Sequence, residues 1–290
     1  MFRRFLLATL CTGLPLIAAA ADLTLAGSDL LRPALAKPLA GKDVGGGRTL
    51  RLRLDGSRSA LDDLRAGRAD FAVVAFAPDE PPPEKEFRLI PLAYQVVVFA
   101  VNDDNPVRQV TFAQLGGMFG DREPVNLRQW GGFGAKGSWA EKPIALNMVV
   151  DIDSLALDIF KHTVLNTPAL KSTIVEQADV DELVRKVRVD DTCIGMFPRL
   201  LRDTTGVHVL LISRDEKDVP FGPTPENINT GDYALRLPFY VAFNPLRSGE
   251  VAPAVNLLLG DAVAAELEKA GFVPVPAKVR AAALRTVAGK

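Results

Sequence analysis

The sequence contains very little cysteine or histidine. Of its 290 residues, two are cysteine and two are histidine. Cys11 lies in an apolar N-terminal run, so only Cys193 remains in the rest of the chain and an intramolecular disulfide is excluded there. Cys193 lies in an apolar, strand-like segment, which indicates a buried and unreactive thiol. His162 and His208 are far apart and have no metal-ligating neighbours, so we expect ordinary helix or strand residues and no metal site.

An excess of one charge is also missing. Lysine and arginine number 34 and aspartate and glutamate 35, for a formal net charge of −1. This balance gives no support for nucleic-acid binding, which usually shows a basic face. Neither a Ser/His/Asp order nor a Cys/His pairing has local support, so we expect no enzyme, no catalytic residues and no cofactor. A GxGxxG pattern at 132–137 follows Arg-Gln-Trp and not a strand, which argues against a dinucleotide site.

The N-terminus has the pattern of a secretory signal peptide. Arg3 and Arg4 precede an apolar run at 5–17, and four alanines follow at 18–21. Because a bilayer span needs roughly 20 apolar residues, this run predicts cleavage and not the alternative, a membrane anchor. We therefore expect residues 1–21 to be removed and the chain from residue 22 to be periplasmic.

The remaining chain alternates between strand-like and helix-like segments. Residues 23–26 and 50–54 read as strands, the second with clean period-two alternation, and 70–76 reads as a buried strand. Polar turns and helical runs lie between them, which predicts an α/β fold with mostly parallel sheets and helices on both faces. Residues 251–267 predict one long helix near the end.

Two strands of similar composition, 96–102 and 239–244, lie before and after the middle of the chain. A chain that leaves one lobe, builds a second and returns needs two such crossings. We therefore predict a first lobe of residues 22–95 and 240–290, a second lobe of residues 96–239, and a cleft between them.

Several segments, in the right order along the chain, resemble the periplasmic phosphate-binding proteins of ABC transporters, which are PstS-like. The segments that carry the resemblance are RAGRADFA at 65–72, NDDNP at 102–106 with the Thr111, Leu115 and Phe119 that follow, WGG at 130–132, YALRLPFY at 233–240 and AGFVP at 270–274. The resemblance implies a two-lobed periplasmic binding protein fold of type II with a two-strand hinge. It further implies a monomer that closes on a small anionic ligand and delivers it to an ABC permease.

The resemblance also places candidate ligand-binding residues in the first two loops. Ser28 is a hydrogen-bond donor there, while Asp29 stands where the family usually has Ser or Thr. In the second loop Ser57 and Ser59 are donors, and Arg58 offers a charge-assisted bond. Capping of the following helix explains Ser57 equally well.

In the last loop of the resemblance only Ser154 matches, since Val150 stands at the position of the family's arginine. Val74 and Ala75 stand where the family has the Ser-Asp pair whose carboxylate accepts a proton from phosphate. A lost arginine contact removes about 1.5–3 kcal/mol for each hydrogen bond to a charged group. These differences weaken phosphate as the expected ligand.

Two functions therefore stay open at this level. The first is a solute-binding protein for a phosphate-like oxyanion. The second is a protein of the same fold that has lost transport and acts as a sensory or envelope interaction module. A hydrolase is third, because no catalytic motif supports it.

Overall fold

A computed structural model describes residues 21–77, 80–152 and 154–287. The predicted signal peptide lies outside these residues, except for its last residue. The strands are β1 Leu23–Gly27, β2 Leu50–Arg53, β3 Phe71–Ala75, β4 Arg88–Val96, β5 Val98–Asn102, β6 Gln109–Thr111, β7 Ala145–Val149, β8 Val175–Gln177, β9 Cys193–Phe197, β10 Val207–Val209, β11 Leu211–Ser213, β12 Arg236–Phe243 and β13 Val273–Pro274. The helices are α1 Arg32–Leu39, α2 Ser57–Arg65, α3 Phe112–Phe119, α4 Ala156–Val164, α5 Val180–Val189, α6 Pro225–Thr230, α7 Ser248–Leu258, α8 Asp261–Lys269 and α9 Ala277–Val287.

The strands form two main sheets. The first has the order β13-β4-β12-β3-β1-β2 and the second the order β10-β5-β9-β7-β8, while β6 and β11 pair separately. β1, β2 and β3 are parallel, as are β7, β8 and β9. The antiparallel pairs of the two main sheets involve β4, β5 and β12, which lie next to the passages between the sheets. The predicted α/β class is confirmed, and the sheets are mixed where a mostly parallel arrangement was expected.

Strand β3 shows how the first sheet is covered on both faces. Side chains alternate across a strand, so Phe71 and Val73 enter one hydrophobic core while Ala72 and Val74 enter another. The first core includes apolar residues of α1, and the second includes those of α2. Helices therefore pack on both faces of this sheet, as the apolar run at 70–76 predicts.

The chain passes between the two sheets at two neighbouring points. β4 ends in the first sheet at Val96 and β5 begins in the second at Val98, so the first passage is at Val97. The amide of Val97 donates to the carbonyl oxygen of Leu235 at 3.0 Å. The Tyr233 hydroxyl donates to the Val97 carbonyl oxygen at 2.6 Å. The two passages are therefore joined by hydrogen bonds.

The second passage comes earlier in the sequence than the predicted crossing at 239–244. β12 pairs with β3 and β4 along its length, and Arg236 is already opposite Val96. Residues 236–239 thus belong to the first sheet. An apolar alternation identifies a strand but not the sheet that it joins, which is why the sequence misplaces this point. The division into lobes stays a prediction.

The predicted single helix at 251–267 is two helices, α7 and α8. They are separated at Gly260, which is extended with ψ 161° and immediately precedes α8. Glycine is among the poorest helix formers because it loses the most backbone freedom on folding. Among the residues that the structure describes, no helix is both long and apolar enough to cross a membrane.

Replacing Tyr233 with phenylalanine tests the join between the passages. Tyr233 is fully buried, and the variant leaves the Val97 carbonyl without its side-chain donor. We expect the free energy of unfolding in urea to fall by about 1–2 kcal/mol. Tyr240→Phe is the control, because the half-buried Tyr240 hydroxyl makes no hydrogen bond within the described residues, and it should change stability by no more than about 0.5 kcal/mol. Equal losses in both variants would contradict the assignment.

Cys193 provides a test of core packing. The thiol is buried in β9, and burial raises its pKa to about 12. Since the thiolate is the reactive form, a chain that starts at residue 22 should not react with a disulfide reagent at pH 8 while it is folded. In urea the same sample should release one thiol equivalent per chain. Rapid reaction of the folded protein would show that β9 is not packed as described.

Candidate functional site

The parallel strands β1 and β3 end at the same edge of the first sheet. Ser28 follows β1, while Phe76 and Ala77 follow β3. Together with the start of α2, these segments form one wall of a cavity of about 350 Å³. The residues of this wall are Ser28, Ser57, Ala75, Phe76, Ala77 and Leu237.

Helix α4 forms the opposite wall. The cavity residues of α4 are Asp158, Ile159 and His162, and Leu155 immediately precedes the helix. Their spacing of three and four residues places them on one face. Phe160 packs against Phe99 of β5 and Phe119 of α3, which attaches α4 to the elements of the second sheet. The cavity therefore lies between the edge of the first sheet and a helix of the second.

Gln95 of β4 links the two walls. Its side chain is only 4% exposed, and its Oε1 accepts a hydrogen bond from the Leu155 amide at 2.9 Å. The next amide, that of Ala156, donates to the Ser154 hydroxyl at 3.1 Å. The start of α4 thus has these two amides satisfied by protein side chains.

Ser28 has an unusual environment for a polar residue. It is 4% exposed and its amide donates to the Val73 carbonyl oxygen at 2.8 Å. Its hydroxyl lines the cavity and makes no hydrogen bond to the residues that the structure describes. The preceding Gly27 is required by close contact, because a Cβ there would lie 2.9 Å from Leu54 Cδ2 and 3.0 Å from the Val73 oxygen. A hydroxyl without a protein partner at a cavity wall is free to donate and to accept a hydrogen bond from a ligand.

Ser57 is the second hydroxyl of the cavity. Its Oγ accepts a hydrogen bond from the Ala75 amide at 3.1 Å, so its own hydrogen stays available to donate. Gly56 precedes it with φ +123°, a conformation that favours glycine, and its amide donates to the Gly27 carbonyl oxygen at 2.9 Å. These bonds hold the two serine loops next to each other.

The other four predicted site residues lie outside the cavity lining. Asp29 and Arg58 are exposed. Ser59 is exposed and its hydroxyl donates to the Gly56 carbonyl oxygen at 3.0 Å, while Ser154 caps the start of α4. The structure therefore brings Ser28 and Ser57 together and places the other residues around them.

Sequence reasoning missed Gln95 and the whole α4 wall. It treated His162 as an ordinary helix residue, and the structure places it in α4 and also at the cavity. Within the described residues, no hydrogen bond joins His162 to Asp158 or to either serine. Nor do three His, Cys, Asp or Glu side chains of these residues come together in a way that could hold a metal ion. The spacing of Leu155, Asp158, Ile159 and His162 was the signal available in the sequence.

No family model matches the chain. Curated relatives do: SphX of Synechococcus elongatus is 28% identical over 201 residues, which is 67% of this chain and 58% of SphX. The phosphate-binding protein PstS of Pseudomonas aeruginosa is 25% identical over 207 residues, or 68% of this chain and 62% of PstS. The match thus spans about three fifths of the length of these relatives.

Comparison with solved structures decides the fold. The crystal structure of PstS from Borrelia burgdorferi superposes with a TM-score of 0.71 and 15% identity, over 88% of this chain and 99% of that one. The chain has the fold of the periplasmic phosphate-binding proteins. The predicted resemblance and the two-lobed α/β class are thereby confirmed.

Replacing Gln95 with leucine tests the link between the walls. The Leu155 amide would lose its acceptor in a largely buried position, so we expect a loss of about 1–3 kcal/mol in the free energy of unfolding. Hydrogen exchange at the first turn of α4 should also become faster. Gln109→Leu is the control, since Gln109 is exposed and makes no side-chain hydrogen bond among the described residues. Unchanged exchange at Leu155 in the Gln95 variant would contradict the proposed link.

Proposed function

We propose that this chain is a periplasmic solute-binding protein that binds a small anion in the cavity between the two serine loops and helix α4. It acts as a monomer and delivers its ligand to an ABC permease. The observation that carries the proposal is Ser28, a residue that is 4% exposed and lines the cavity, and whose hydroxyl has no hydrogen-bond partner among the described residues.

The start of α2 supports binding of an anion at the same point. The first amides of a helix lack intrahelical partners and carry partial positive charge, so a negative group is favoured there. Ser57 is the first residue of α2 and lines the cavity with Ser28. Arg58 is the next residue of α2; it is exposed and has no ion pair among the described residues. Similarity to proteins named as phosphate-binding supports the same ligand charge.

A binding-fold protein without a transport role is the second candidate. It is favoured by the described residues of the cavity lining, which include neither lysine nor arginine. Such a protein would act as a sensory or interaction module in the cell envelope. The two candidates differ in whether any small ligand binds in the cavity.

A thermal-shift and calorimetric screen of the chain from residue 22 separates these candidates. We expect at least one anion among inorganic phosphate, sulfate, phosphonates and carboxylates to stabilise the protein. At a hundred times its dissociation constant, a ligand stabilises the folded state by about 2.7 kcal/mol. If none of these anions binds, the solute-binding proposal is wrong.

Ser28→Ala should weaken binding of the best anion about tenfold or more, because a hydrogen bond to a charged group contributes about 1.5–3 kcal/mol. Ser59→Ala is the matched control, since the Ser59 hydroxyl bonds the Gly56 carbonyl and lies outside the cavity lining. The control should bind as the unaltered protein does. Equal affinity for Ser28→Ala and Ser59→Ala would remove Ser28 from the site.

A further inference from the structure

Among the described residues that line the cavity, the two serine hydroxyls lie on one side and two titratable side chains lie on the other. On the first-sheet wall the Ser28 and Ser57 hydroxyls lie beside the start of α2. The Ser28 hydroxyl can both donate and accept a hydrogen bond, and the Ser57 hydroxyl can still donate its hydrogen. This side can therefore donate hydrogen bonds to an anionic group.

Apart from Ser28, Ser57, Asp158 and His162, the described residues of the lining are apolar. Phe76 and Leu237 face the cavity from the first sheet, and Leu155 and Ile159 face it from α4. Two amides at the start of α4 are not available as donors, because Leu155 N is bonded to Gln95 and Ala156 N to Ser154. A ligand atom on this side contacts hydrocarbon.

The titratable side chains on the α4 wall do not favour a negative group of the ligand on that side. Asp158 presents a carboxylate, which repels an anion, and His162 is the other titratable group of the lining. Both are exposed to solvent. The negative charge of a ligand is therefore directed to the serine side.

Inorganic phosphate fits this lining poorly. Its oxygens carry charge on every side, and burying a charged group without hydrogen-bonding partners is unfavourable. On the α4 side, phosphate oxygens would lie against Leu155 and Ile159. A molecule with an anionic head and an apolar body matches both walls at once.

We infer that the natural ligand is a small organic anion, whose head binds at Ser28 and Ser57 and whose apolar body packs between Phe76, Leu155, Ile159 and Leu237. This inference rests on the proposed solute-binding function and names its ligand class. The size agrees, because an apolar cavity of about 150 Å³ already holds benzene and this one has about 350 Å³ for a ring and a head group.

Calorimetry with inorganic phosphate and phenylphosphonate tests the inference. The two probes share a phosphorus oxyanion head, and only phenylphosphonate has an apolar body. We expect phenylphosphonate to bind at least ten times more tightly at the same pH and salt concentration. Butylphosphonate and phenylacetate then separate the contribution of the ring from that of the head.

Substitutions on α4 locate the apolar body. Leu155→Ser should weaken phenylphosphonate at least fivefold and should not weaken phosphate. Leu157→Ser is the matched control, because Leu157 is also half-buried on α4 and lies outside the cavity lining. Asp158→Asn alters an exposed residue and should strengthen binding of both anions by removing a repulsive charge.

The outcomes distinguish the inference from the function on which it rests. Phosphate binding as tightly as phenylphosphonate, or more tightly, overturns the inference and leaves the solute-binding function in place. Failure of phosphate and of every organic anion overturns both. Weaker anion binding by Asp158→Asn also overturns the inference, because the carboxylate would then assist the ligand. If Leu155→Ser does not fold, the comparison of the two probes on the unaltered protein still decides.

Discussion

The rest of the structure depends on the hydrogen bonds at Val97. There the chain leaves the first sheet, and the Val97 amide and carbonyl bond Leu235 and Tyr233 of the returning passage. Two residues earlier, Gln95 bonds the start of α4. One short segment therefore joins both passages and fixes the helix that faces the serine loops. Burial raises the pKa of Tyr233, so its hydroxyl stays protonated and keeps its hydrogen for the bond to the Val97 carbonyl oxygen.

The chemistry of the cavity follows from how its two walls are built. The first wall is made of strand ends and a helix start, where backbone and side-chain donors are exposed for structural reasons. The second wall is the side of α4, whose position is fixed by Phe160 packing against Phe99 and Phe119. On this wall the side chains of Leu155 and Ile159 are apolar, while Asp158 and His162 are exposed. The cavity therefore has hydroxyl donors on the serine side and an apolar surface at Leu155 and Ile159.

Part of the site could be predicted because loops before helices need residues with particular chemistry. Ser28 and Ser57 follow strands and precede helical segments, so the sequence identifies both as hydrogen-bonding groups. Ser59 has the same residue type two positions later, yet its hydroxyl turns back to the Gly56 carbonyl. Which serine faces the cavity depends on the direction of each side chain along the first helical turn. Residue type and spacing in the sequence do not show in which direction each side chain points.

The sequence by itself determined the α/β class, the burial of Cys193, the ordered resemblance to phosphate-binding proteins and the two serine loops. These properties depend on local periodicity and on residue types at turns, which act within a few residues. Only the tertiary structure decided that β12 joins the first sheet from Arg236, that Gln95 reaches Leu155, and that α4 closes the cavity. These contacts join residues that are 60 or more positions apart in the sequence. A local pattern indicates that a side chain is buried, but it does not indicate which distant residue that side chain packs against.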